Sequence, residues 1–205
     1  MATIGAVYSG SKWQYDLFTS EKYKPFFDEI IPACDLPSTS LSPFDVLIVP
    51  RESNQEMLLV INDKIIQFLD NGGLVISFGE VTLPWLPNCV WDANYPQFKY
   101  DRKNLWSKGE LDKDPYTLVK PEHPLFRGLT MEDLQWHFHG LFHATPNAVV
   151  LLKYGTIGDI IYLDSKSFNG EILATTLDPD VHFGYGVIKK TQKFLDNVLR
   201  WARER

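Results

Sequence analysis

The stretch Phe44–Glu80, FDVLIVPRESNQEMLLVINDKIIQFLDNGGLVISFGE, decides how the rest of the chain is read. Asp45–Val49 and Leu74–Phe78 are nearly continuous apolar runs, as expected of parallel strands buried on both faces. Between them, Asn54–Asp70 places Met57, Leu58, Ile61, Ile65, Phe68 and Leu69 on one side of a helix. Ser53 is the expected N-cap, with Glu56 placed for a capping box. Asn71-Gly72-Gly73 is a strong stop, because glycine accepts the left-handed conformation that ends helices. Strand, helix and strand make half of a doubly wound α/β domain. The turn after the second strand, Ser77-Phe78-Gly79-Glu80, falls where such sheets keep their chemistry.

Upstream, residues 2–8 (ATIGAVY) read as a first buried strand, and Ser9-Gly10-Ser11 as a permissive turn. Residues 21–31 (EKYKPFFDEII) space Tyr23, Phe26, Phe27, Ile30 and Ile31 as a helix would, with Pro25 in the first turn and Pro32 at the end. Residues 33–43 read as a loop.

Downstream, residues 81–116 break the pattern with Pro84, Pro87 and Pro96, the aromatics Trp85, Trp91, Tyr95, Tyr100 and Trp106, and a charged run from Lys108 to Asp114. A connection this long predicts an inserted hairpin or lid. Regularity returns at Tyr116. The alternation in residues 134–143 (LQWHFHGLFH) predicts a strand. Three more strands are expected at Ala148–Lys153, Gly158–Leu163 and Glu171–Leu177, with Asn169-Gly170 as a hairpin turn before the last. Val187–Arg203 reads as a closing amphipathic helix. The expected architecture is a single α/β domain over residues 1–205. It has a doubly wound, mainly parallel sheet with helices on both faces, the aromatic-rich insertion and an appended antiparallel hairpin. Ser9-Gly10, Pro50-Arg51-Glu52, Ser77–Glu80 and Asp178–His182 should then share one rim.

Bulk properties narrow the function classes. The 205 residues are 44% hydrophobic and 22% charged, with a formal net charge of −6 and both signs interspersed. That pattern argues against nucleic-acid binding, which needs a basic stripe. No apolar run approaches the ~20 residues of a membrane span. The opening MATIGAVYSG lacks a secretory leader's basic region, so the expected location is cytoplasmic. Cys34 and Cys89 form no metal or redox spacing and read as free thiols. Neither GxGxxG nor GxxxxGK[ST] occurs, and Gly184-Tyr185-Gly186 reads as turn chemistry, so no cofactor is expected. His137, His139 and His143 would share a face of a strand. No neighbouring Cys, Asp or Glu spacing completes a metal site, and none is expected.

Two short motifs carry a resemblance. Val75-Ile76-Ser77-Phe78-Gly79 stands where G-x-C-x-G would, and Leu177-Asp178-Pro179-Asp180 where F-H-P-E would. With DVLIVP and its helix, and with His123-Pro124-Leu125-Phe126-Arg127-Gly128-Leu129, the chain resembles the class I glutamine amidotransferase-like superfamily. That superfamily is flavodoxin-like and includes trehalose-utilisation-type domains and the trimerisation domains of some β-galactosidases. The resemblance implies a cysteine–histidine–glutamate site, but Ser77, Asp178 and Asp180 stand at those positions. A hydroxyl beside carboxylates lacks a base of suitable pKa, so glutaminase activity is not expected.

The expected role is a non-catalytic binding or assembly module. Ser9, Gly10, Arg51, Trp85 and Trp91 would contact the ligand. The partner would be a protein or a second copy, and the ligand a small polar or sugar-like molecule. The alternative is a hydrolase on such a molecule, using Ser77 with His182 (oriented by Asp178 or Asp180) or with Glu80 as base.

Overall fold

The computed structural model of the chain describes residues 1–93 and 116–205. The first half runs β1 (Ile4–Tyr8), α1 (Lys12–Thr19), β2 (Glu29–Pro32), β3 (Val46–Val49), α2 (Gln55–Val60), α3 (Asn62–Asp70) and β4 (Leu74–Phe78). The second half runs β5 (Trp91–Asp92), β6 (Tyr116–Leu118), β7 (Leu141–Phe142), β8 (Ala148–Tyr154), β9 (Gly158–Asp164), β10 (Glu171–Thr175), α4 (Pro179–Gly184) and α5 (Gln192–Arg203). Strands β2, β1, β3, β4 and β10 lie side by side in that order, all parallel. The antiparallel part follows through β9, which pairs with β10, β8 and β7. Among the described residues no helix is long and apolar enough to cross a membrane.

The central strands are apolar at successive positions because both faces are covered. Ile4, Ala6, Val46, Ile48, Leu74, Ile76 and Leu173 join one core with Leu17 and Phe18 of α1 and Phe194, Leu195, Val198 and Leu199 of α5. Val7, Leu47, Val49, Val75, Ile172 and Ala174 join a second core with Leu58 of α2 and Ile65, Phe68 and Leu69 of α3. A side-chain period of two sends alternate residues to opposite faces, so two helical layers sandwich one sheet.

Several local expectations are corrected. Residues 21–31 are not a helix: the helix is α1 upstream, and Glu29–Pro32 is the edge strand β2. Pairing with β1 wins there, since Ile31 enters one core while Ile30 packs on the other. Asp28 fixes the entry by accepting from Ile4 N at 2.7 Å. The long helix is two, broken at Ile61, and its cap is Asn54, whose Oδ1 accepts from Met57 N at 3.1 Å. Ser53 instead donates to the Pro50 carbonyl.

Asn169-Gly170 is not a tight hairpin turn but a clamp on the end of α3. Asn169 Nδ2 donates to the Asp70 carbonyl and Gly170 N to that of Leu69. A Cβ on Gly170 would lie 2.0 Å from Gly73 O, so only glycine permits the approach. The alternation in residues 134–143 is real in burial, with Trp136 and Phe138 inward. The strand there shrinks to Leu141–Phe142. Finally, α4 occupies Pro179–Gly184, and the closing helix begins only at Gln192.

Of the expected insertion, Val81, Trp85 and Leu86 are buried in the second core and β5 pairs with β7. Tyr95, Tyr100, Trp106 and the run Lys108–Asp114 lie outside the described residues.

Candidate functional site

The parallel strands β1, β3, β4 and β10 end on one rim. The peptide after β3 is held there from several sides. Gln14 Nε2 donates to the Arg51 carbonyl and Asn54 N to Ser9 Oγ. Arg51 N donates to Asp180 Oδ2 at 2.9 Å. Glu52 takes a left-handed conformation, φ 59°, and accepts from Trp13 Nε1. These bonds aim the Arg51 side chain across the ends of β4 and β10.

Arg51 closes an ion network. Its Nε and Nη2 donate to the two oxygens of Glu80, both at 2.8 Å, and Nη1 donates to Asp178 Oδ2 at 2.8 Å. Gly79, at φ +77°, makes room: a Cβ there would lie 2.4 Å from Arg51 Cγ. Asp178 is fully buried. Its other oxygen, Oδ1, accepts from Trp136 Nε1 at 3.3 Å and lies 3.2 Å from His182 Nε2. His139 bridges the two carboxylates loosely, 3.8 Å from Glu80 Oε1 and 3.8 Å from Asp178 Oδ2. The His137 ring stands edge-on to those of His139 and His182, with centroids 5.3 Å and 4.9 Å away.

The electrostatics follow from this packing. Burial opposes ionisation of Asp178 and Glu80. Even so, His182 with Arg51 holds Asp178 below the usual carboxylate range, and Arg51 does the same for Glu80. Burial, reinforced by Asp178, pushes Asp180 up to about 7. Burial also lowers His137 and His139.

The rim thus brings together Arg51, Glu80, Asp178, Asp180 and His182 from the sequence-derived set. Ser9 and Gly10 lie at its edge, with Ser9 engaged in the backbone bonds of the turn. Ser77 does not join. It lies inside β4, paired with Val49 and Ala174, and is 1% exposed, with no hydrogen-bond partner at Oγ among the described residues. It shares its face with Val75, towards α2, where it borders a crevice with Leu58 and Trp85. His182 packs on the opposite side, with Trp136. Trp85 is a core residue, 1% exposed, and offers no ligand platform. Trp91 packs edge-on to Phe142 in the β5–β7 pair.

The histidine grouping also differs from expectation. His143 sits 3.6 Å from Asp92 on the β5–β7 pair, whereas His137 and His139 converge on Asp178 with His182. No local spacing announced this, because residues 136–139 and Asp178 meet only through the fold. Cys34 and Cys89 are free thiols, and burial pushes Cys89 up to about 12, consistent with a packing role. A cavity of about 640 Å³ lies away from the rim, beside Ser40, Asp45, Lys64 and Gly73 at the amino ends of β3 and β4. It brings no comparable set of ionisable groups together.

No protein-family model matches the chain, and no curated protein does. Solved structures match in fold. A cytoplasmic protein from Salmonella typhimurium is similar with a TM-score of 0.59 and 14% identity, over 98% of this chain and 98% of that one. A second cytoplasmic protein, from Salmonella typhimurium LT2, has a TM-score of 0.56 and 12% identity over 98% and 99%. A GMP synthase-type protein from Thermoplasma acidophilum has a TM-score of 0.56 and 15% identity over 100% and 95%. At such identities the likeness is one of fold alone.

Proposed function

We propose that the chain is a divergent member of the class I glutamine amidotransferase-like superfamily, in its trehalose-utilisation or β-galactosidase-trimerisation branch. It has the flavodoxin-like, doubly wound architecture without the superfamily's catalytic residues. It acts as a binding or assembly module. The fold shared with the GMP synthase-type protein supports the first part. One observation carries the second: Ser77, at the nucleophile position, is buried within β4, and among the described residues its Oγ has no hydrogen-bond partner.

Nucleophilic catalysis needs a base in hydrogen-bond reach of the attacking atom. Of the carboxylates that could orient or replace a base, Glu80 and Asp178 are held by the Arg51 side chain. Among the described residues Asp180 is engaged at one oxygen only, by the backbone of Arg51. A rim of this kind is suited to recognition: its fixed polar groups, Arg51, Glu80 and the exposed His139, match small polar or sugar-like ligands.

The test has three arms. Ammonia release from glutamine should stay at the buffer rate. A panel of monosaccharides, disaccharides and polyols should contain a ligand that raises the melting temperature, less so in His139→Ala. Mass photometry of the full chain, alone and as purified from its host, reads the assembly role. Measurable glutamine hydrolysis would sink the proposal. So would a monomer without co-purifying protein that also ignores every ligand in the panel.

A further inference from the structure

Asp178 is the point where two differently built groups meet. On the Oδ2 side it is a structural carboxylate, fixed by Arg51. On the Oδ1 side the surroundings are imidazoles. His137, Asp178 and His182 each offer one ligand atom, and these atoms all lie within 4.8 Å of one another. Asp178 and His182 are buried, and His137 is half-buried.

His182 supplies an independent observation. It is 4% exposed, yet among the described residues neither ring nitrogen has a hydrogen-bond partner. Buried imidazoles are normally tied by at least one such bond. Its Nε2 lies 3.2 Å from Asp178 Oδ1 without the angles of a hydrogen bond. That separation suits two atoms bound to one ion. Metal–ligand bonds of about 2.0–2.2 Å put tetrahedral neighbours roughly 3.3–3.5 Å apart and octahedral neighbours about 3 Å apart.

Charge points the same way. Among the described residues, the Arg51 guanidinium pairs with two carboxylates, Glu80 and Asp178, and a third, Asp180, lies buried beside them. Carboxylates there outnumber the guanidinium, and a buried charge is expensive unless it is paired.

We propose that His137, Asp178 and His182 form a site for a first-row divalent cation of the Zn²⁺ class. Two imidazoles and one carboxylate are the donor set such ions prefer, and three protein ligands leave a coordination position open. Asp178 bridges, with the cation at Oδ1 and Arg51 at Oδ2. Trp136 Nε1 and Arg51 are the outer partners that fix the carboxylate. A half-buried His137 can close the remaining distance by side-chain rotation. An open position of this kind takes a hydroxyl or carboxylate of a polar molecule. The inference stands apart from the module proposal, because metal affinity is read with no other ligand present.

The test uses the full chain freed of metal with a chelator and titrated with Co²⁺, whose visible ligand-field bands report donor type and geometry. One equivalent should bind, and Zn²⁺ should displace it. His137→Gln and His182→Gln should each weaken binding at least about tenfold, with the fold checked by circular dichroism. His123→Gln and His143→Gln should leave it unchanged. Because His137 is half-buried, its variant remains informative even if the His182 variant loses stability. The proposal is overturned if the folded parent binds no Co²⁺ at millimolar metal. It also fails if binding survives His137→Gln unchanged, or if His143→Gln abolishes it.

Discussion

The guanidinium of Arg51 grips the carboxylate of Glu80 through two parallel hydrogen bonds, Nε to Oε2 and Nη2 to Oε1, both 2.8 Å. Its third nitrogen reaches the fully buried Asp178. Such a fork uses the planar geometry of arginine, and lysine cannot reproduce it. Replacing Arg51 by methionine strands the Asp178 charge, and breaking a buried pair in this way costs about 3–5 kcal/mol. Arg51→Met should therefore lose about 3 kcal/mol in urea denaturation. Arg51→Lys should recover part of that, and Glu80→Gln, at the more exposed partner, should lose about 1 kcal/mol. An unchanged urea midpoint in Arg51→Met would show that the network contributes nothing to folding.

Gly79 and Gly72 separate two reasons for glycine. Both have positive φ, +77° and +93°, but a Cβ on Gly72 would meet nothing within 4 Å. Gly72→Ala should cost only the left-handed penalty, about 1 kcal/mol. Gly79→Ala adds a collision with the Arg51 stem, whose Cγ and Cβ lie 2.4 Å and 2.9 Å from the new atom. It should cost more than about 2 kcal/mol, since overpacking adds to the backbone penalty. Equal losses for the two variants would mean that Arg51 is free to move aside.

The sequence made the centre of the sheet legible because β1, β3 and β4 are apolar on both faces, a pattern few other structures share. It misplaced the first helix because Tyr23, Phe26, Phe27, Ile30 and Ile31 mimic a helical stripe. The deciding fact there was non-local: the edge of β1 was free to pair with Glu29–Pro32. The strand-end rule located Arg51, Glu80, Asp178, Asp180 and His182, since it needs only the strand boundaries. It also nominated Ser77, and that failed by geometry. The residue lies within the strand and not at its turn, so the pleat turns its side chain to the α2 face. His137 and His139 were beyond local reading, because their partner Asp178 arrives from the other end of the antiparallel part.

Ser77 gives a test whose sign differs between readings. A buried hydroxyl without a partner has lost its water and gained nothing in return, a deficit of about 1–3 kcal/mol. Ser77→Ala should therefore leave the melting temperature equal or higher, and any ligand binding at the rim intact. A lower melting temperature would reveal a hydrogen bond to Oγ. Loss of a hydrolytic activity in this variant would restore Ser77 as a nucleophile.

Asp133 predicts part of the acid limb of stability. Its Oδ2 accepts from the backbone N of Thr130 at 2.9 Å and from Thr130 Oγ1 at 3.0 Å, closing a capping box. Its Oδ1 lies 2.9 Å from Lys193 Nζ on α5. The Thr130 backbone bond, then the Lys193 bond, hold the carboxyl below its ordinary value. A carboxyl whose folded pKa lies below its unfolded one, about 3.9, stabilises the protein above the unfolded value. That contribution is lost as pH falls through the folded value. Asp133→Asn keeps an acceptor for Thr130 but gives up the charge facing Lys193. Because Lys193 is largely exposed, the loss at neutral pH should be about 1 kcal/mol. The gap between parent and variant should narrow as the pH drops below about 4 and vanish once Asp133 is protonated in both states. Urea denaturation at a series of pH values reads this directly, and a gap that stays constant into acid would mean that the Asp133 charge plays no part in holding α5 to the Thr130 turn.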